Sequence, residues 1–72
     1  MNVRGEVGRV KFDGRVLKIG TGYVAEINGQ ARWRGQTREL ALYHALDELL
    51  PETQDSIVWK IARATIRSAE SS

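Results

Sequence analysis

The run from Gln36 to Leu50, QTRELALYHALDELL, carries a cap, a period and a stop that together specify a single regular structure. At about 100° per residue, Leu42, Leu46, Leu49 and Leu50 fall in one narrow arc flanked by Tyr43 and Ala45, the stripe of a helix packed on a sheet. Thr37 is placed to cap the first turn, and Glu39 stands near the positive end of the helix dipole. Pro51 ends the run by disfavouring the helical conformation at Leu50. The opposite arc holds Leu40, His44, Asp47 and Glu48, read either as a solvated surface or as an acidic contact strip with an exposed Leu40 at one end. His44 is the only histidine. Lacking a second His, a Cys or spaced carboxylates around it, His44 forms no metal site and is read as an ordinary surface residue.

The residues before this helix read as sheet. Met1 to Glu6 are taken as a loose lead-in, with pairing from about Val7. Arg9 to Phe12 alternates, and Asp13-Gly14 is a signal for a two-residue hairpin turn that returns through Arg15 to Ile19. In that register Val10, Phe12, Leu17 and Ile19 share an apolar face, and Arg9, Lys11 and Lys18 share the other with Val16. Gly20-Thr21-Gly22 makes the next reversal, into a strand from Tyr23 to Glu26. A three-residue loop, Ile27-Asn28-Gly29 with Gly29 left-handed, then places Tyr23, Ala25, Ala31 and Trp33 on one side. Val24, Glu26, Gln30, Arg32 and Arg34 fall on the other. A two-residue Asn28-Gly29 turn would mix these faces.

After Pro51, Thr53 or Asp55 is placed to cap a second helix, running to about Ala69, beyond which Ala69 to Ser72 read as a frayed end. Its polar arc of Lys60, Arg63, Arg67 and Glu70 is narrow, so a single packing surface cannot cover the rest. Ile57, Ile61 and Ala64 are assigned to the core. Trp59, Ala62 and Ile66 are assigned to a ridge that either seats a partner or forms a dimer seam, the alternative being that Trp59 folds back on the domain.

The fold class expected is therefore α+β. An antiparallel three- to four-stranded β-meander over about residues 7–35 is followed by two α-helices, about 37–50 and 54–69, packed on one face. The chain has 72 residues and no cysteine, so one small domain, 1–72, must hold together without a disulfide or thiolate zinc site. The start, MNVRGEVGRV, lacks the apolar run of a signal peptide, and no stretch approaches the length of a membrane span, which together predict a cytoplasmic protein.

Charge is segregated. Residues 1–38 hold eight Lys/Arg against three Asp/Glu, and residues 39–72 hold three against six. This asymmetry bears on partners rather than on fold. Gly20-Thr21-Gly22 is followed by a strand, not by the helix that a phosphate loop requires, so it is read as a turn. Asp47, Glu48, Glu52 and Asp55 surround a helix end and a helix start, where carboxylates serve the dipoles. No catalytic residue, cofactor or metal is expected.

Gly22 to Ile27, followed by Arg34 to Leu46, is similar to the strand and Gly-x-Thr helix start of HicB-type antitoxin domains. The same residues are similar to the strand-strand-helix end of double-stranded RNA-binding domains. Asn28-Gly29 replaces the proline-rich turn of the first family, and the leading helix of the second is absent, so neither similarity assigns a site.

Two functions are compatible with these features. The first is a small non-enzymatic protein that docks onto another protein, such as a phage or mobile-element inhibitor of a host or defence complex, through Trp59, Ile66, Ala62 and Leu40. The second is a nucleic-acid-binding regulator using Arg32, Arg34, Lys11, Lys18 and Arg63, since guanidinium groups suit phosphate. A homodimer is a third arrangement, separated from both by its mass in solution.

Overall fold

The computed structural model describes residues 1–71. Four strands, β1 (Asn2–Val7), β2 (Val10–Ile19), β3 (Gly22–Ile27) and β4 (Ala31–Gly35), precede two helices, α1 (Arg38–Leu49) and α2 (Asp55–Ser71). The strands form one antiparallel sheet in the order β1-β2-β3-β4. An α+β meander with two following helices is thus the observed architecture.

The first hairpin differs from the expectation. Its turn is Gly8-Arg9, closed by the pair Val7–Val10, and Gly8 has φ +59°. A positive φ at the first central residue alone is the pattern of a type II′ turn, whose twist matches that of the flanking strands. The strand β1 therefore begins almost at the first residue, and even Met1 exchanges backbone hydrogen bonds with Val16, at 2.8 and 3.2 Å. Asp13-Gly14 does not turn. Gly14 lies inside β2, paired with Val3 on one side and Ile27 on the other. A Cβ there would stand 1.9 Å from the Glu26 carbonyl oxygen. The glycine is needed for close backbone approach, not for reversal.

Moving the turn shifts the parity of half the strand. Val16 is buried, whereas Leu17 and Ile19, assigned to the apolar face, are exposed on the other. The next reversal falls at Gly20-Thr21, closed by Ile19–Gly22, so Gly22, expected in the turn, is the first residue of β3. The last hairpin has a three-residue loop, Asn28-Gly29-Gln30, closed by Ile27–Ala31. It lies one residue later than expected, but the residue parity and the left-handed Gly29 hold. Asn28 prolongs the β2–β3 ladder past the end of β3. Its backbone N–H donates to the Asp13 carbonyl, and its side-chain oxygen accepts from the Asp13 N–H at 3.0 Å.

Both helices cover one face. Packed on β3 and β4, α1 lies beside α2, which reaches over to β1. Thr37 caps α1 as its residue type predicts, its hydroxyl accepting from the Leu40 N–H at 3.0 Å. Gln54, rather than Thr53 or Asp55, supplies the first carbonyl acceptor of α2, and the helix continues through Ala69 to Ser71. Ser72 lies outside the described residues. The core joins Val3, Phe12, Val16, Ala25 and Ile27 of the sheet to Leu42, Leu46, Val58, Ala62 and Ile66 of the helices. Arg38 at the start of α1 pairs with Glu70 near the end of α2 at 3.8 Å, as antiparallel helices require.

Candidate functional site

The apolar phase of α2 places Val58, Ala62 and Ile66 against the core, while Ile57 and Ala64 face solvent and Ile61 is partly buried. Ala62 and Ile66 therefore leave the expected ridge, being 0% and 1% exposed. The reason is geometric. A helix that must touch both α1 and β1 seats its small and branched residues at spacing i, i+4, i+8 in the crevice between them, Ile57 rotates outward, and Ile61 keeps its expected contact at the edge of the core.

Trp59 keeps a different neighbour. Its indole stacks on the Tyr43 ring with centroids 4.4 Å apart and planes 10° from parallel. Tyr43 in turn meets His44 edge-on at 5.2 Å, and His44 lies 5.8 Å from Trp33 of β4. The four rings form a continuous row. It starts at the sheet's β4 edge, passes over the solvent side of α1 and ends on α2. Spacings of 4.5–7 Å are those at which aromatic pairs attract beyond simple area burial. Leu40 stands one turn before His44 on α1, partly buried at the margin of the row.

Carboxylates fringe the row where α1 gives way to α2. The Trp33 indole N–H donates to Glu48 at 2.7 Å, which fixes the ring against α1 although Trp33 is 44% exposed. Partial burial, then the negative charges of Asp55 and Asp47, raise the Tyr43 phenol above its ordinary value of 10.0, and a hydrogen bond to Asp55 acts in the same direction. The phenol is thus neutral and points into a negative field. Residues 39–59, which supply three of the four rings, hold five carboxylates and no lysine or arginine.

The basic residues assemble only in part as expected. Lys11, Arg32 and Arg34 lie on the open face of the sheet and Arg63 on α2, as read from the sequence, but Lys18 has the parity of the covered face and Arg9 sits in the first turn. On the open face, carboxylates are set among the cations by register. Glu26 stands between Arg15 and Arg32, Asp13 opposite Arg4, and Glu6 opposite Lys11. Such alternation stabilises cross-strand pairs and weakens the field a phosphate backbone would meet. At one corner the open face is apolar, where Leu17 and Arg34 flank a buried Val24 and Ile19 adjoins.

Trp33, Tyr43 and His44 of the row were not among the residues expected at the site, and His44, read as an ordinary surface residue, lies between two of its rings. For Trp33, assignment to the helix-covered side of β4 was the available signal, because an edge-strand indole on that side must lie along a helix flank. Among the described residues, no group of three His, Cys, Asp or Glu could hold a metal ion, and no helix is long and apolar enough to cross a membrane. Comparison with protein-family models, curated proteins and solved structures finds no match.

Proposed function

We propose that this chain is a small non-enzymatic binding protein that docks onto another protein with its helical side. The observation that carries the reading is the row Trp33, His44, Tyr43 and Trp59, which crosses the solvent side of α1, exposed at Trp33 and only partly buried at the other three rings, with Tyr43 seated on the edge of the core. Trp and Tyr are the side chains that anchor protein interfaces, since they present large rigid area at small entropic cost. Trp59 remains the principal anchor, with Leu40 on the rim. Inhibition of a larger assembly is one outcome of such docking.

The test compares capture by three forms of the protein with matched thermal melts: wild type, Trp33→Ala/Trp59→Ala, and Arg32→Ala/Arg34→Ala. A protein held by wild type and by the arginine variant but lost by the tryptophan variant supports docking through the row. Loss with the arginine variant alone, or nucleic acid in the captured fraction, moves the function to the open sheet face. A dimeric mass that becomes monomeric on Trp59→Ala assigns the row to self-association.

A further inference from the structure

The hydrogen bond between Trp33 and Glu48 does more than fix the indole. It uses one carboxylate oxygen, Oε2, and holds an exposed acid beside an exposed aromatic ring. A planar guanidinium is matched to that combination, because it stacks on an indole while donating to a carboxylate at the ring's edge. Asp47 and Asp55 extend the negative border along the row toward Trp59. The stretch 39–59 contains no cation to compete for the place.

We propose that the segment docking on the ring row is cationic, an arginine-bearing stretch of polypeptide whose guanidinium stacks on Trp33 and bonds Glu48. This rests on the docking reading above and adds the chemistry of the partner. A nucleic-acid strand, which would also stack on aromatic rings, is disfavoured here because its phosphates would meet the same carboxylates. The open sheet face provides an internal comparison, since Glu6 and Asp13 are exposed acids there without a neighbouring aromatic row.

The probe is acetylated hexa-arginine amide, titrated into isotope-labelled full-length protein at about 10 mM ionic strength, where screening is weak, and again at about 150 mM. Two-dimensional NMR reads the two indole N–H signals. The expected result is saturable movement of the Trp33 signal at both salt concentrations and no movement with hexaglutamate. Glu48→Gln keeps an acceptor for the indole and removes the charge, so it should weaken binding about tenfold, the order expected for one charge-assisted contact. Glu6→Gln/Asp13→Asn should leave binding unchanged.

Equal loss from those two variants overturns the proposal, since attraction would then be nonspecific. Equal binding of hexalysine overturns the arginine assignment. An unmoved Trp33 signal, together with capture that still depends on Trp33 and Trp59, overturns the cationic chemistry and leaves docking standing. Failure of both removes the row as an interface.

Discussion

The two faces of the sheet differ in what each side chain is asked to do, and neighbouring residues show it best. Val16 is 3% exposed beneath the helices, and Leu17, the next residue, is 41% exposed on the open face. The covered face is built from small and branched apolar residues, Ala25, Ala31, Val3 and Ile27, which let two helices approach. The open face is built from alternating charges that keep it in water, with an apolar corner at Leu17 and Ile19. Hydrophobicity alone does not assign a residue to a face in this sheet. Register does, because the side-chain period in a strand is two residues.

The strongest way to break this contrast is to damage the cover. Leu46→Ala removes a fully buried side chain from α1 and should cost about 2–5 kcal/mol, comparable to the whole stability of so small a domain. No cooperative melt is expected by circular dichroism. A melt near the wild-type temperature would mean that the helices are not holding the sheet. The sharpest test is the neighbouring pair. Val16→Ala should cost about 2 kcal/mol and Leu17→Ala within about 0.5 kcal/mol, measured by urea unfolding. Equal costs, or the reverse order, would return the hairpin turn to Asp13-Gly14.

Smaller effects test the edge of the cover. Thr37→Ala leaves both faces intact but frees the Leu40 N–H, and should lower stability by about 1 kcal/mol, while Thr37→Ser restores it. The smallest effect concerns alkaline pH. Because the Tyr43 phenol is raised in the folded state, the folded protein keeps its proton over a range where the unfolded chain has lost it. The contribution is complete below the ordinary phenol value of 10.0 and declines as pH rises through the folded value. Absorbance titration near 295 nm should show Tyr43 ionising late, and Asp55→Asn should move it earlier. An unchanged titration would separate Tyr43 from Asp55.

The first helix was legible because its signals are local: Thr37, the leucine spacing and Pro51 act within a few residues of one another. The facing of β3 and β4 was legible for the same reason, since only one parity separates Ala25 and Trp33 from Arg32 and Arg34, although the loop itself lies one residue later than expected. The first hairpin was not. Asp13-Gly14 has turn chemistry, but its glycine answers to a carbonyl twelve residues away at Glu26, which no local reading contains. The phase of α2 escaped for a related reason, because its apolar residues exceed what one face requires and only the crevice beside β1 selects among them. The ring row has no sequence spacing at all. It is assembled from β4, α1 and α2, and only Trp59 and the flanking position of Tyr43 marked it in advance.

The order of the strands also sets a sequence of events. Each strand pairs with its chain neighbour, so the three hairpins are closed by short loops and carry little entropic cost of closure. Low contact order of this kind favours rapid folding. The contact of α2 with β1 is the exception, joining opposite ends of the chain. Until α2 docks, Val3 on β1 lacks its cover. Docking of α2 covers β1 and, in the same step, brings Trp59 onto Tyr43, so the aromatic row exists only when both helices are in place.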